Sequence, residues 1–488
     1  MGNRSKNQHL LWRAGFGPDY KLSSSLNTSN SRDIWKNIIE GSREKPKKFI
    51  VAQNLMLDYF KGEKDLDVIN KIAKENKEEI NAIKLKMRQS SLQDLKTLNN
   101  TWVDEMINSK AQLREKMSLF WHGHFACRIT FGYYQQELLH IIRENSLGNF
   151  GDLLKAVSKS PAMLVFLNNN NNRKRSPNEN FAREVMELFT LGRGNYTEMD
   201  VKEAARAFTG WNFNPLIEFE VRDDLHDEGV KTFLGQTGNF NGDDVLNILL
   251  KNKQTALFIT TKIYKYFVND KIDEKKIQWL ADRFYAGNYN ILNLMEDIFT
   301  SEWFFEEKNI GAKIKSPIEL IAGIRRMMPL TPKGDGGQIL FQKILGQVLF
   351  FPPNVAGWPG GSSWIDSSTL MARLQIPRVW ANKEVMRLIP KDDDDVQMGK
   401  KDMDVKEKRN KGDVNRAGGS LISWELVMEI YKNVQRENLY NEIVSSLVQI
   451  PVSFPEELMK KHTDNESREN FITSNFIQIM STPEYQVC

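Results

Sequence analysis

Cysteine and long apolar runs are scarce in this sequence. Only Cys127 and Cys488 occur among 488 residues, which argues against a disulfide framework and against a thiolate metal site. The longest apolar runs, such as MLVFL, are far too short to span a bilayer, and the first residues, MGNRSKNQHLLWRAGFGPDY, lack the apolar core of a secretory signal. We therefore expect no transmembrane segment, and a cytoplasmic location if the sequence begins at its native start.

No charge of one sign dominates the chain. The 67 basic residues are interleaved with 63 acidic ones and leave a net charge of +4, so nothing indicates nucleic acid as a partner. No G-x-S-x-G elbow, Walker loop or dinucleotide glycine fingerprint occurs in a strand-to-helix context. The length, with 40% hydrophobic and 27% charged residues, allows one large core or two ordinary ones.

Apolar residues recur at helical intervals along most of the chain, which predicts a mainly α fold, a multi-helix globular array. The charge-rich residues 61–88 are expected to form a solvated helix with a narrow buried seam. One long helix is expected from about Leu92 to Cys127, and helices resume at about Asp243. Short apolar and polar positions alternate between glycines after Trp211, which predicts a small β-hairpin excursion near residues 216–236.

A charge block with almost no apolar content lies at residues 391–416. Such composition is typical of a solvated surface segment, because it offers little to bury. We therefore expect a helical core over residues 1–380, a charged surface insertion over 381–420 and a C-terminal helical segment over 421–488 that packs on the core.

The stretch from Ser176 to Trp211 is predicted to form two helices joined by a tight turn. Ser176 is expected as the N-cap of the first helix, with Glu179 completing a capping box. Thr197 and Asp200 repeat the same spacing at the start of the second helix. Both helix starts are therefore set by local side chains.

Four imidazole and carboxylate side chains are candidate metal ligands. They are His124, Glu184, Glu187 and His226, a ligand set that suits zinc, manganese or iron. Glu184 and Glu187 lie one helical turn apart on a polar stripe, as in carboxylate metal sites of helical proteins. The alternative is a solvated edge in which Arg183 pairs with Glu187.

The two histidines of the H-G-H sequence cannot both ligate one ion from a helix, because their rings point roughly 200° apart. His124 ends an apolar face and is the better candidate; its alternative is a core histidine hydrogen-bonded to the backbone. His122 is expected at the surface. His226 and Asp227 lie in an irregular, glycine-rich segment, where Asp227 is either a second functional group or a turn residue.

The segment FFPPNVAGWPGGSSWID is predicted to be a rigid aromatic loop full of turn signals. Trp358 and Trp364 could stack on a sugar or a peptide ring. The alternative is that these rings fasten the loop to the core.

Eight motifs resemble the bacterial family known as domain of unknown function 1800. In order they are HLLWRAGFGP, FWHGHF, NENFAREVMELFTLG, YTEMDVKEAARAFTGW, LHDEGVKTFLG, KSPIEL, PPNVAGWPGG with WID, and STPEYQ. The resemblance covers nearly the whole chain. It implies a predominantly helical protein, frequently encoded beside a protein that resembles the alkaline phosphatase and sulfatase superfamily, which is the partner we expect. It implies no established reaction.

The resemblance also singles out individual positions. These are His124, Asn178, Glu179, Asn180, Arg183, Glu184, Glu187, Asp200, Thr209, Gly210, Trp211, His226, Asp227, Gly229, Asn354, Gly357, Trp358 and Pro359. Relatives often carry histidine where this chain has Phe189, so Phe189 is left outside the predicted site.

Two functions are compatible with these patterns. The first is a metal-dependent enzyme, hydrolytic or oxidative, in which Asp227 orients an imidazole or acts as general base, Arg183 holds an anionic substrate group and Glu187 serves both ligation and catalysis. The predicted substrate-binding residues are Asn180, Trp211, Trp358 and Trp364. The second is a non-catalytic glycan- or peptide-binding or assembly protein that uses the aromatic loop.

Overall fold

A computed structural model describes residues 2–22, 25–63, 65–334, 337–385, 420–452, 461 and 463–488. Helices dominate this part of the chain, as predicted. The helices are α1 (Asn3–Ala14), α2 (Ser31–Arg43), α3 (Leu55–Tyr59), α4 (Leu66–Glu75), α5 (Lys77–Asn108), α6 (Gln112–His124), α7 (Gly132–Asn145), α8 (Phe150–Ser158), α9 (Pro161–Phe166), α10 (Glu179–Glu184), α11 (Glu198–Ala207), α12 (Gly242–Lys251), α13 (Lys253–Phe267), α14 (Glu274–Ala286), α15 (Ile291–Phe299), α16 (Pro317–Met327), α17 (Gly337–Leu345), α18 (Ser367–Trp380), α19 (Trp424–Tyr431), α20 (Leu439–Leu447) and α21 (Arg468–Met480). Within the described ranges, no helix combines the length and the apolar composition needed to cross a membrane.

Local side chains begin several of these helices. Thr197 caps α11 with Asp200 as its capping-box partner, as predicted, and Ser316 and Glu319 form the same box at α16. In each box the cap side chain accepts from a backbone N–H while the acidic side chain accepts from the backbone N–H of the cap, which satisfies donors that the first helical turn leaves unpaired.

The strands of the described ranges form three two-stranded antiparallel ladders. They are β1 (Trp211–Phe213) with β2 (Phe219–Val221), β3 (Lys231–Phe233) with β4 (Gln236–Gly238), and β5 (Leu330–Pro332) with β6 (Ser420–Ile422). The predicted hairpin near 216–236 is therefore two short hairpins, one on each side of His226. They occur where glycines and aspartates interrupt the helical spacing of apolar residues.

The predicted single helix over 92–127 is wrong, because the structure divides it into α5 and α6. The side chain of Gln112 donates to the backbone oxygen of Ser109 at 2.8 Å, an oxygen that a continuous helix would use internally. Gly41 in α2 packs against the break, since a Cβ on Gly41 would lie 2.3 Å from the backbone oxygen of Lys110. Packing between distant segments therefore keeps α5 and α6 separate helices.

The predicted N-cap of α10 is also wrong. Asn178, not Ser176, caps the helix and accepts a hydrogen bond from the Asn180 N–H at 3.0 Å. The Asn178 N–H in turn donates to the Asn172 side chain at 2.9 Å. α10 continues directly into a π-helix, Val185–Thr190, a wide helical turn that is common at functional sites.

Among the described residues, two large apolar cores organise the molecule, with a smaller cluster that includes residues of α3, α4 and α5. The first core contains Trp121 and Phe208, and the second contains Trp102 and Trp380. The C-terminal segment contributes Phe476 and other apolar residues to the second core. The predicted charged insertion lies for the most part outside the described residues, because residues 386–419 are not among them.

Candidate functional site

The polar stripe of α10 and the π-helix is occupied by ion pairs. Arg183 donates to Glu198 through two nitrogens, each at 2.8 Å, and to Glu179 at 3.2 Å. Glu187 accepts from Arg193 at 3.1 Å and from the hydroxyl of Tyr196 at 2.6 Å. The pairing of Arg183 with Glu187 that the spacing offered is therefore replaced by other partners.

Glu184 is half-buried beside Glu187. Burial raises the pKa of the Glu184 carboxyl, and the negative charge of Glu187 raises it further. Burial and the hydrogen bond to Glu187 likewise raise the pKa of Tyr196 to about 12. Glu184 and Glu187 therefore share one face, as predicted from their spacing, and the charge of Glu187 disfavours ionisation of Glu184.

His226 and Asp227 belong to a separate polar network at the end of α11. Nδ1 of His226 lies 2.8 Å from the backbone oxygen of Thr209, so this nitrogen donates. Asp227 accepts from Nε and Nη2 of Arg206 at 2.8 and 3.1 Å, and Arg206 holds the pKa of Asp227 below its ordinary value. The predicted general base is therefore engaged in a two-point ion pair.

His124 is buried at the end of α6, and both of its ring nitrogens have partners. Nε2 lies 3.3 Å from the backbone oxygen of Phe189, and Nδ1 lies 3.1 Å from Nζ of Lys262. Burial lowers the pKa of His124 well below its ordinary value, and the neighbouring Lys262 charge lowers it further. Its contact with the backbone agrees with the core-histidine alternative.

The four predicted metal ligands do not assemble into one cluster. Across the part of the chain that the structure describes, no group of three or more His, Cys, Asp or Glu side chains is arranged to hold a metal ion. His124 faces Lys262, and His226 faces Thr209. A metal site shared by all four residues stays a prediction, and the contacts described here do not support it.

A cavity of about 270 Å³ opens beside His124 instead. Four of the eight sequence motifs border it, since its lining residues include Arg13, His124, Glu319 and Trp358. Trp364 also contributes to its wall. The cavity therefore combines His124, from the predicted metal site, with both tryptophans of the predicted aromatic loop.

Gly357 brings the aromatic loop against α6. Its φ is +82°, and a Cβ at this position would lie 2.3 Å from the backbone oxygen of Gly123. Only glycine permits both this backbone conformation and this approach without strain. The loop therefore meets α6 next to His124, with Trp358 at the cavity wall.

His122 fastens the other side of the same loop. The predicted surface position is wrong, because His122 is 2% exposed. Its Nε2 accepts the backbone N–H of Phe350 at 3.1 Å, and its ring lies 5.6 Å from the ring of Trp358. Both histidines of α6 are therefore buried, because the loop covers the face of the helix on which His122 lies.

Two of the basic side chains at the cavity are neutralised by acidic ones. Lys116 forms an ion pair with Glu319, and Lys313 forms one with Asp270. Burial alone would raise the pKa of Glu319, but Lys116 and hydrogen bonds from Ser316 hold it below its ordinary value. Arg13 binds backbone oxygens, including that of Asn309 at 2.8 Å.

Two further lysines at the cavity have no acidic partner in the described part of the chain. Lys262 and Lys265 lie one turn apart on α13, and both line the cavity. Nζ of Lys262 contacts His124 and donates to the backbone oxygen of Leu188 at 3.3 Å. Burial lowers the pKa of Lys262 to about 8. A cation with a lowered pKa in a cavity is characteristic of functional sites.

The end of the π-helix supplies the oxygens that hold this pair. Leu188 and Phe189 lie in its last turn, where backbone carbonyls have no partner inside the helix. These carbonyls accept from Lys262 and His124, and the negative end of a helix favours positive charge. The NENFAREVMELFTLG motif therefore supports the cavity through its backbone.

The other predicted substrate-binding residues lie elsewhere. Trp211 is 2% exposed and packs edge-on against Phe208 and Phe219 in the first core. Asn180 is exposed and donates to the backbone oxygen of Leu167 at 3.2 Å. Neither is among the residues that line the cavity.

Sequence patterns missed the lysines of α13. The segment FITTKIYKYFV showed only helical spacing, and nothing local distinguishes Lys262 from a surface lysine. Glu319 carried a signal, because KSPIEL has capping-box spacing, but that signal explains a helix start and not a cavity wall.

The sequence model of a family described as protein of unknown function (DUF1800) matches residues 9–487, nearly the whole chain. No curated protein and no solved structure matches the chain.

Proposed function

Because the chain belongs to the DUF1800 family, whose description assigns no reaction, we propose a function from the cavity itself: the protein binds a small anionic, ring-bearing organic ligand. One observation carries this proposal. Two lysines without acidic partners in the described chain and the tryptophans of the aromatic loop line a single cavity of about 270 Å³.

Charge supports an anionic ligand. Among the lining side chains of the described chain, five are basic, Arg13, Lys116, Lys262, Lys265 and Lys313, and two are acidic, Asp270 and Glu319. The acidic ones already pair with Lys116 and Lys313. Arg13 donates to the backbone oxygen of Cys488 at 2.8 Å, which leaves Lys262 and Lys265. A carboxylate or phosphate in the cavity would balance their charge, and charge-assisted hydrogen bonds are stronger than neutral ones.

Shape supports a ring. Trp358 is half-buried, so its ring keeps surface available at the cavity while packing on His122. Tryptophan offers a flat face to a sugar or an aromatic ring. A volume of about 270 Å³ lies just below the usual range for small-molecule pockets, roughly 300–1,000 Å³, which suits one ring with one or two substituents.

Titration with two matched pairs of compounds tests the proposal. Benzoate is compared with benzamide, and glucuronate with glucose, by isothermal calorimetry. We expect the acid of at least one pair to bind and its neutral counterpart to bind more weakly. Lys262→Met should weaken binding of that acid by about tenfold or more, since a hydrogen bond to a charged group contributes about 1.5–3 kcal/mol.

Lys253→Met is the matched control, because Lys253 lies on the same helix but does not line this cavity. Its affinity should equal that of the wild type. If neither acid binds, or if the neutral compounds bind equally well, the proposed function is wrong.

The metal-dependent enzyme stays a prediction and is not the function that we propose. Its suggested roles need Asp227 and Arg183 to be free for a substrate, whereas both are held in ion pairs of 2.8 Å. The expected partner, a protein resembling the alkaline phosphatase and sulfatase superfamily, likewise stays a prediction. A glycan or peptide with an acidic ring unit is also compatible with the cavity. Glucuronate represents such a ligand in the titration.

A further inference from the structure

We propose that Lys262 forms a reversible imine with a carbonyl group of the ligand, so that the cavity reacts with aldehyde acids or keto acids. This inference rests on the proposed function, because an anionic ligand must first enter the cavity. It adds a covalent activity to a binding site.

The contacts of the Lys262 nitrogen carry the first step. Nζ lies 3.1 Å from Nδ1 of His124 and 3.3 Å from the backbone oxygen of Leu188. These two acceptors take two N–H bonds. In the neutral amine the remaining tetrahedral position holds the lone pair, which is the nucleophile in imine formation.

The tautomer of His124 makes its nitrogen an acceptor. Nε2 lies 3.3 Å from the backbone oxygen of Phe189, and a carbonyl oxygen can only accept, so Nε2 carries the proton. Nδ1 of the neutral ring therefore has a lone pair facing Lys262. An adjacent base of this kind can take a proton from the attacking amine and return it.

The surroundings of Lys262 offer its ammonium form no carboxylate partner among the described residues. The charged and titratable groups that line the same cavity are Arg13 on α1, Lys116 and His124 on α6, Lys265 and Tyr266 on α13, Glu319 on α16, and Asp270, Lys313 and Cys488 outside these helices. Asp270 is already paired with Lys313, and Glu319 with Lys116. Burial lowers the pKa of Lys262 to about 8. Burial without a carboxylate partner is the usual route to a nucleophilic lysine.

The reaction balances without a further reagent. The Nζ lone pair attacks the carbonyl carbon, a C–N bond forms and the carbonyl π pair moves to oxygen. Two protons, both originating from the amine and relayed by Nδ1 of His124, reach that oxygen. The oxygen leaves as water, and a C=N bond remains. Hydrolysis reverses each step.

Reductive trapping tests the inference. The protein is incubated with 4-formylbenzoate and sodium cyanoborohydride, which reduces an imine to a stable secondary amine, and the modified lysine is located by peptide mass spectrometry. We expect the adduct at Lys262 in excess over Lys265 and over exposed lysines. Excess benzoate should suppress it by competition for the cavity.

Two arginine variants complete the experiment. Lys262→Arg cannot form the trapped amine, so the adduct should be lost. Lys253→Arg, the matched control on the same helix but outside the cavity, should keep the adduct at Lys262. Benzoate binding by the wild type with no preferential adduct at Lys262 would overturn the imine and leave the proposed function standing, whereas absence of binding would overturn the proposed function itself.

Discussion

Gly357 shows how one residue positions the loop that covers the cavity. Its backbone has a φ of +82°, and its α-carbon faces the backbone oxygen of Gly123 so closely that a Cβ would lie 2.3 Å away. The glycine therefore meets two separate constraints, one of backbone conformation and one of space.

Replacing Gly357 with alanine should lower the free energy of unfolding by about 1–3 kcal/mol, because the backbone becomes strained and the loop must move away from α6. The displaced Trp358 should also weaken binding of the cavity ligand. Urea denaturation and calorimetric titration measure the two effects.

Gly360→Ala is the comparison. Gly360 has a φ of +74°, but no neighbouring atom lies within 4 Å of its Cβ position. With ψ at −176°, its backbone lies in a region that is essentially restricted to glycine. Alanine there should lose only this conformational part, about 1–3 kcal/mol, and should keep ligand affinity. Equal effects of the two variants on affinity would show that the contact with Gly123 does not position the loop.

At the scale of elements, the division between α5 and α6 sets the direction of the helix that ends at His124. Gln112 holds this division: its side-chain nitrogen donates to the backbone oxygens of Met106 at 2.9 Å and of Ser109 at 2.8 Å. Both oxygens lie where α5 ends and would otherwise lack partners.

Gln112→Ala should therefore lower the free energy of unfolding by about 1–3 kcal/mol, the cost of leaving buried acceptors unsatisfied. Chemical denaturation followed by far-UV circular dichroism measures it. Gln278→Ala removes an exposed hydrogen bond to Asp282 instead and should change stability by no more than about 0.5 kcal/mol. A loss for Gln112→Ala as small as that for Gln278→Ala would contradict the role assigned to Gln112.

Local and distant determinants of the elements can be separated. The cap of α11 by Thr197 and Asp200 was predictable, because both partners lie within one helical turn. The N-cap at Asn178 was not, because the Asn172 side chain holds its backbone N–H from outside the helix. The α5 to α6 break likewise depends on Gly41, far away in the sequence.

At the scale of the whole molecule, buried cations link stability to pH. Lys315 is 1% exposed and lies between the rings of Trp12 and Tyr485, with Nζ 3.7 and 3.8 Å from their centroids. Burial lowers the pKa of Lys315 from 10.5 to about 7, although the charge of Glu319 acts in the opposite direction.

The sign of the pH effect follows from proton binding. Between pH 7 and 10.5 the unfolded chain holds a proton on Lys315 that the folded chain has largely lost, so the free energy of unfolding rises with pH across this window. Lys315→Met should remove this part of the rise, as measured by urea denaturation at several pH values.

The pKa of Lys262 is also lowered, to about 8, so Lys262 likewise makes the free energy of unfolding rise with pH. This contribution is present in both the wild type and Lys315→Met, so the difference between their pH profiles isolates Lys315. Parallel pH profiles for the wild type and Lys315→Met would contradict this prediction.

The cavity shows why the site was only partly predictable. His124, Trp358 and Trp364 were identified from residue type and context, and the structure places all three at one cavity. Lys262 was not identified, because it meets His124 across 138 residues of sequence. Glu184 and His226 are residue types that can bind a metal ion, but residue type alone does not determine how far apart two side chains lie in the fold.

The sequence by itself determined the helical class, the family and the helix starts that rest on neighbouring residues, because periodicity and caps act over one or two turns. Only the tertiary structure decided which basic and aromatic side chains share a cavity. Such neighbours are brought together by the packing of whole helices, and the free energy of that packing is distributed over both cores and is not encoded in any single motif.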